Sequence, residues 1–193
     1  DPTRSAACEY VFRKMTQMYS WDYMGFTGEE SRHRGKARNA AMHDAQSNGY
    51  DVAVILDADS YPQARPLKSA IACAQIMGGI QFPHDRVYPQ DKNGRPLASY
   101  GPSAGGCWVA RPDEWFRVGG MEERGGWSVD DRTFLCQMKT FGGGPYYHQG
   151  VLTCLWHATK DRTVPPEDTA LIQRYLDAEG DPGAMRALLA ERP

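Results

Sequence analysis

At 193 residues, with 41% hydrophobic and 24% charged side chains, the chain has the size and balance of one globular domain with a sizeable core. Its 22 basic and 24 acidic residues leave a formal charge of −2, which removes any bulk electrostatic demand for a nucleic-acid or membrane partner. No apolar run approaches a membrane span, the first residues lack a signal-peptide pattern, and five scattered cysteines without a Cys-x-x-Cys pair fit reduced core thiols, so the expected location is cytoplasmic.

Asp1-Pro2 reads as a helix start, after which Cys8, Val11, Phe12, Met15 and Met18 share one helical face. A short strand is expected within residues 19–26 and a polar loop over 27–35. From Lys36, the small residues Ala37, Ala40, Ala41 and Ala45 recur at helical spacing until Asn48-Gly49 ends the run, and such a helix can lie close against a sheet. The run Val52-Ala53-Val54-Ile55-Leu56 is a strand buried on both faces, and it stops at two carboxylates, Asp57 and Asp59. Continued extension would point both the same way, and a turn would splay them around a common centre. Either geometry suits a hard divalent cation. The structural alternative is that Asp57 caps a following helix and Asp59 solvates a loop.

Residues 65–77 carry Leu67, Ile71, Ala74 and Met77 on one face and read as a crossover helix leading to a short strand, Gly79-Ile80-Gln81-Phe82. Residues 87–100 are polar, with a turn at Lys92-Asn93-Gly94, and form a hairpin-like excursion. Gly105-Gly106 leads into a strand, Cys107-Trp108-Val109-Ala110, where the glycines let backbone approach a ligand closely. A short helix over 111–118 and a glycine-rich loop follow. Asp130 and Asp131 then open a helix bearing Phe134, Leu135 and Met138, where capping is an alternative role for both acids. Two strands, at 146–148 and 151–156, end in His157. Beyond Pro165-Pro166 come two helices, at 167–179 and 182–191, which pack on the outside or reach a partner. The expected division is therefore a domain over 1–164 and a helical extension over 165–193.

Taken together, these motifs resemble the GT-A glycosyltransferases, especially family 2 members and galactosyltransferase-like relatives. Lys36-Ala37-Arg38-Asn39 is similar to the segment before the nucleotide-binding strand, and Leu56-Asp57-Ala58-Asp59 to the metal and sugar-nucleotide motif. Gly105-Gly106-Cys107-Trp108-Val109 with Trp115, Gly119-Gly120 and Glu122-Glu123 resembles the acceptor-side segment. Trp127-Ser128-Val129-Asp130-Asp131 resembles the element that carries the base of inverting members, and Cys154-x-x-His157 the later metal-ligand position. The likeness runs over about residues 30–160 and rests on order and spacing. It implies an α/β fold of the GT-A, Rossmann-like kind: a mixed, mostly parallel sheet flanked by helices, with a C-terminal helical segment. The hydrophobic strand that usually opens such domains is not evident, so the expectation is that it is missing or trimmed, or that residues 19–26 supply the second strand.

The implied chemistry is transfer of a sugar from a nucleotide-diphosphate donor to an acceptor hydroxyl. Mn²⁺ or Mg²⁺, held by Asp59 and His157 with Asp57 on metal or ribose, would neutralise the departing diphosphate. Asp131 is the expected base, and Arg38, Asp57, Asp59, Gly106, Trp127 and Asp130 are the expected donor-binding residues. Glu123 is a further candidate for donor hydroxyls. Trp127 and Trp108 present a sugar platform or pack in the core, and Lys36 and Arg38 meet phosphate or nucleobase, or face water. The acceptor is a small molecule, a glycan, a protein or a modified DNA base. Compact bacteriophage proteins that decorate DNA bases are similar in kind, which would place the chain in a host cytoplasm. The competing classes are nucleotidyl transfer, which needs a third strand-borne acid, and a degenerate module that binds sugar nucleotide or glycan without turnover.

Overall fold

The computed structural model describes residues 2–21, 34–124, 129–158 and 164–192. Among them the helices are α1 (Pro2–Met18), α2 (Arg34–Ser47), α3 (Ala64–Met77), α4 (Pro112–Arg117), α5 (Val129–Phe141), α6 (Pro166–Asp177) and α7 (Pro182–Ala190). The strands are β1 (Ala53–Leu56), β2 (Ser60–Pro62), β3 (Gln81–Phe82), β4 (Arg86–Pro89), β5 (Cys107–Ala110), β6 (Tyr146–Tyr147) and β7 (Val151–Cys154). Residues 19–21 are not strand, and the rest of the segment expected to hold one lies outside the described residues, as does Trp127.

The main sheet has the order β1-β5-β3-β6. β1 and β3 both pair antiparallel with β5, and β6 runs parallel to β3. Three strands therefore share a direction and one is reversed. Because the reversed strand sits between β1 and β3, two of the three pairings become antiparallel, a departure from the mostly parallel pairing expected. A crossover helix imposes parallel direction on the strands it joins, and α3 does so for β1 and β3, but it does not make them neighbours. β5 fills the gap, and all four of its residues are buried.

A second sheet, β2-β7-β4, lies beyond the carboxyl end of β1. β2 and β4 fall where the sequence reads as turn and hairpin. Their partner β7 follows many residues later, so no local pattern announces them, and Pro62 and Pro89 end strands at the sheet's two edges, where proline is tolerated. The hairpin is present: Val87 and Tyr100 bridge, and Asp91 Oδ1 accepts from Asn93 N and Arg95 N, each at 2.8 Å.

The central core packs Trp108, Trp115, Phe82, Phe134, Met42, Met121 and Met138, all fully buried, between the main sheet, α2, α4 and α5. On the other face α3 lays Leu67, Ala70, Ile71 and Ala74 against Val109 of β5. α3 stops where Gly78 takes φ 73°, a conformation that favours glycine. α6 and α7 pack on α5 through Tyr175, Ala178, Met185, Leu188 and Cys136. No described helix is long and apolar enough to cross a membrane.

Candidate active site

The carboxyl end of β1 and the amino end of α5 face one another, and α2 supplies the group that joins them. Arg38 is 7% exposed and lies over the ring of Trp108, with its guanidinium carbon 4.3 Å from the ring centroid. Its Nη2 donates to Asp57 Oδ1 at 2.5 Å. Its Nη1 donates to Asp130 Oδ2 at 2.6 Å and to Asp131 Oδ1 at 3.0 Å. One turn earlier on α2, Arg34 donates to Asp130 Oδ1 at 2.8 Å and approaches Asp131 Oδ2 at 3.7 Å. Among the described residues, Arg34 and Arg38 thus hold the three carboxylates together.

Burial and the neighbouring charges together set the acidities. Burial opposes the charge of Arg38, but Asp57, Asp131 and Asp130 together raise its pKa above the usual guanidinium range. Burial pushes the Asp131 carboxyl up, Arg38 pulls it back, and the charges of Asp130 and Asp57 push it up again, leaving it at about 7. A carboxylate poised near neutrality is suited to general-base work.

The two acids after β1 part company. Asp57 N donates to Gly106 O at 2.9 Å and Asp57 O accepts from Ser60 N at 3.0 Å, a turn that sends Asp57 to Arg38. Helix α3 begins beyond this turn, with Gln63 at its cap position, so Asp57 does not cap it. Asp59 Oδ2 instead meets His157 Nε2 at 2.7 Å, while Asp59 O accepts from Leu155 N at 2.7 Å. Ser60 Oγ donates to Asp59 Oδ1 at 3.1 Å and lies 3.3 Å from Cys154 Sγ. Burial and the nearby charges of Asp59 and Asp57 hold the Cys154 thiol protonated, pushed up to about 11 against the Ser60 hydrogen bond. Among the described residues no group of three or more His, Cys, Asp or Glu side chains converges as a metal cage. Asp59 and His157 remain as a two-donor pair.

The pair has the chemistry of a partial site. His157 Nδ1 lies 3.1 Å from the carbonyl of Ala158, and a proton on Nδ1 would leave the Nε2 lone pair facing Asp59 Oδ2. In that tautomer the two acceptors would take a cation between or beside them, whereas a proton on Nε2 closes the pair as a hydrogen bond to Asp59. Their separation is near the ~3 Å edge of an octahedron with ~2.1 Å bonds, and a carboxylate with an imidazole suits Mn²⁺.

The glycines before β5 act on the protein itself. Gly106 takes φ 92°, and a Cβ there would overlap Leu152 Cδ2. Gly105 lies against the proposed base: a Cβ would sit 3.1 Å from Asp131 Oδ2. Trp108 is fully buried and packs under Arg38, so it offers no sugar platform.

Sequence reasoning missed Arg34 and the bracing roles of Asn39 and Glu122. Arg34 was detectable by its spacing of four residues from Arg38, which places both on one helical face. Asn39 Oδ1 accepts from Trp115 Nε1 and Met121 N, both at 2.9 Å, while its Nδ2 donates to Met121 O at 2.9 Å and Glu123 Oε1 at 2.8 Å. It locks α2 to the loop that leads towards α5. Glu122, read from the sequence only as part of the acceptor-side segment, accepts from Tyr175 Oη at 2.6 Å and from Arg124, and Arg192 donates to Gly119 O at 2.6 Å, which ties the C-terminal helices to the same loop.

This arrangement of mixed sheet, flanking helices and strand-end carboxylates is that of a GT-A fold. The solved structures it matches include the catalytic domain of Drosophila β1,4-galactosyltransferase 7 in complex with xylobiose, at TM-score 0.63 and 14% identity over 89% of this chain and 76% of that one. A mutant of the same enzyme in complex with manganese, UDP-Gal and xylobiose matches at TM-score 0.55 and 16% identity, over 76% of this chain and 63% of that one. No family model and no curated protein matches the chain.

Proposed function

We propose that the chain is a glycosyltransferase that moves a sugar from a nucleotide-diphosphate donor to a hydroxyl of a glycan acceptor, with a divalent cation and with inversion. The observation that carries this reading is the Arg38 clamp, which sets the donor-side carboxylate Asp57 and the carboxylate Asp131 on one guanidinium. The manganese, UDP-Gal and xylobiose in the solved neighbours support a sugar nucleotide as donor and a glycan as acceptor.

Asp59 and His157 would hold the cation, whose charge stabilises the departing diphosphate. Asp131 takes the acceptor O–H proton as the acceptor oxygen bonds to the anomeric carbon, and the electron pair of the breaking C–O bond leaves with the diphosphate. Asp130, held by Arg34 and Arg38, would orient donor hydroxyls. Asp57, turned by Gly106 and Ser60, borders the nucleotide side.

The test is calorimetric titration with nucleoside diphosphates, UDP first, with Mn²⁺ and with chelator, followed by transfer assays on xylobiose. Metal-dependent binding that is lost in Asp59→Ala and His157→Ala supports the reading. Absence of nucleotide binding in every condition would sink it. Turnover that disappears in Asp131→Asn while nucleotide binding persists separates catalysis from a binding-only module.

A further inference from the structure

The outer face of the second sheet carries a groove that the proposed transfer chemistry leaves unused. Val87 of β4 and Leu152 of β7 are buried together against Cys107 of β5. Side chains alternate along a strand, so their neighbours Tyr88 and Thr153 project from the opposite face. Thr153 is in register with Tyr61 of β2 on one side and with Tyr88 of β4 on the other, which sets two tyrosines in one row across three strands. Tyr10 of α1 extends the row, its ring centroid 5.8 Å from that of Tyr61. Beside Tyr88 the face hollows into a cavity of about 190 Å³ lined by Tyr88, Gln90, Pro96, Val151 and Thr153.

The lining limits the occupant. None of the five residues is charged, so the cavity offers no cation to a phosphate or carboxylate and no anion to an amine. An extended peptide has no strand edge to join at β4, because the hairpin return already closes it: Val87 N donates to Tyr100 O at 2.7 Å, Tyr100 N to Val87 O at 3.1 Å and Leu97 N to Pro89 O at 2.8 Å. What remains is an aromatic ring and a proline ring together with a phenol, an amide and a hydroxyl. Hydroxyls and amides both donate and accept, which matches the hydroxyls of a sugar, and the C–H face of a sugar ring packs on an aromatic face. The volume lies below the ~300–1,000 Å³ of sites that enclose a whole ligand, so the cavity takes one ring of a longer chain.

We propose that this groove is a second saccharide site, separate from the transfer centre, that holds one unit of a neutral oligosaccharide against Tyr88. Its place in the chain gives it a use. β2 begins at Ser60, directly after Asp59, and Leu155, two residues beyond Thr153, donates its N–H to Asp59 O. A glycan anchored here is therefore held at raised local concentration near the Asp59 end of the protein. The proposal does not depend on Asp131 being a base.

The experiment follows the methyl signals of Val151 and Thr153 in the full chain by NMR as xylotetraose, cellotetraose or maltotetraose is added. Affinities are measured by calorimetry in the parent and in Tyr88→Ala, Tyr88→Trp and Gln90→Ala. The expected result is that one or more of the tetrasaccharides shifts these methyls and saturates. Tyr88→Ala is expected to lower that affinity by about tenfold or more and Gln90→Ala by about threefold or more, while Tyr88→Trp keeps or raises it. The affinity for UDP with Mn²⁺ should stay within about twofold of the parent in all three. Saccharide binding that leaves the methyls unmoved overturns the proposal, as does absence of binding with every tetrasaccharide, or an unchanged affinity in a folded Tyr88→Ala. UDP moving these methyls where no tetrasaccharide does also overturns it and makes the occupant a nucleotide. If Tyr88→Ala does not fold, Gln90→Ala decides by the same affinity, since Gln90 lies outside the strands.

Discussion

Arg38 Nη1 and Asp130 Oδ2 meet at 2.6 Å although they are 92 residues apart, and both side chains are almost fully buried. The contact bolts the start of α5 to α2, and the same guanidinium reaches across to Asp57 at the end of β1. The acids that open α5 are thus committed to cations on another helix, which explains their place better than capping alone.

Removing Arg38 leaves three carboxylates crowded around an empty space. Arg38→Ala is expected to lose about 3–5 kcal/mol of stability, as for other broken buried ion pairs, read as a fall in the urea midpoint. Arg38→Lys retains the charge but cannot span both sides of the cluster, so its midpoint should lie between the two.

Asp131 offers two linked tests with opposite consequences. Its native pKa of about 7 lies above its ordinary 3.8, so the folded state binds the proton more tightly. Its contribution to stability is fully present below about pH 4 and is lost as pH rises through 7. Asp131→Asn should accordingly be at least as stable as the parent at pH 8, by thermal melting, while turnover falls by about 10²–10⁴. In the parent, activity should rise with pH as this carboxyl ionises, and the variant should lack that limb.

Gly106 supports the Asp57 turn through its carbonyl while holding φ 92°. Gly106→Ala combines backbone strain with overlap of Leu152 and should cost about 1–3 kcal/mol. A matching fall in the affinity for UDP with Mn²⁺, measured by calorimetry on the folded fraction, is expected as the turn shifts.

Glu122 gives an acid-stability test. Burial alone would push its carboxyl up, but hydrogen bonds from Arg124 and Tyr175, with the charge of Arg192, hold it down at about 2 against an ordinary 4.5. The stabilisation is present above about pH 4.5 and is lost as pH falls towards 2. Glu122→Gln should lower the melting temperature at pH 7 by the equivalent of about 1–3 kcal/mol and narrow the gap to the parent at pH 3.

The helices and the central strands were largely legible in the chain, because each carries its signal locally. Leu67, Ile71 and Ala74 recur at the helical period, and Val52 to Leu56 form an unbroken apolar run that stops at Asp57. β2 and β4 were not legible: each is a short edge strand containing proline, and each exists because β7 lies beside it. The reversal of β5 was hidden for the same reason, since strand direction belongs to a pairing between distant segments.

The site divides along the same line. Residue type and order at Asp57, Asp59, Asp131 and His157 are enough to suggest the proposed chemistry, because carboxylates and imidazoles can bind cations and move protons. Which of them meet is another matter. Asp59 finds His157 and Asp57 finds Arg38, and Arg38 is a buried clamp rather than an exposed grip for phosphate. Asn39 is a lock between α2 and the loop before α5. Such roles arise from hydrogen bonds and charge pairs that close only when elements tens of residues apart are packed together. Partner identity and acidity are properties of that shared, desolvated space, and no residue carries them alone.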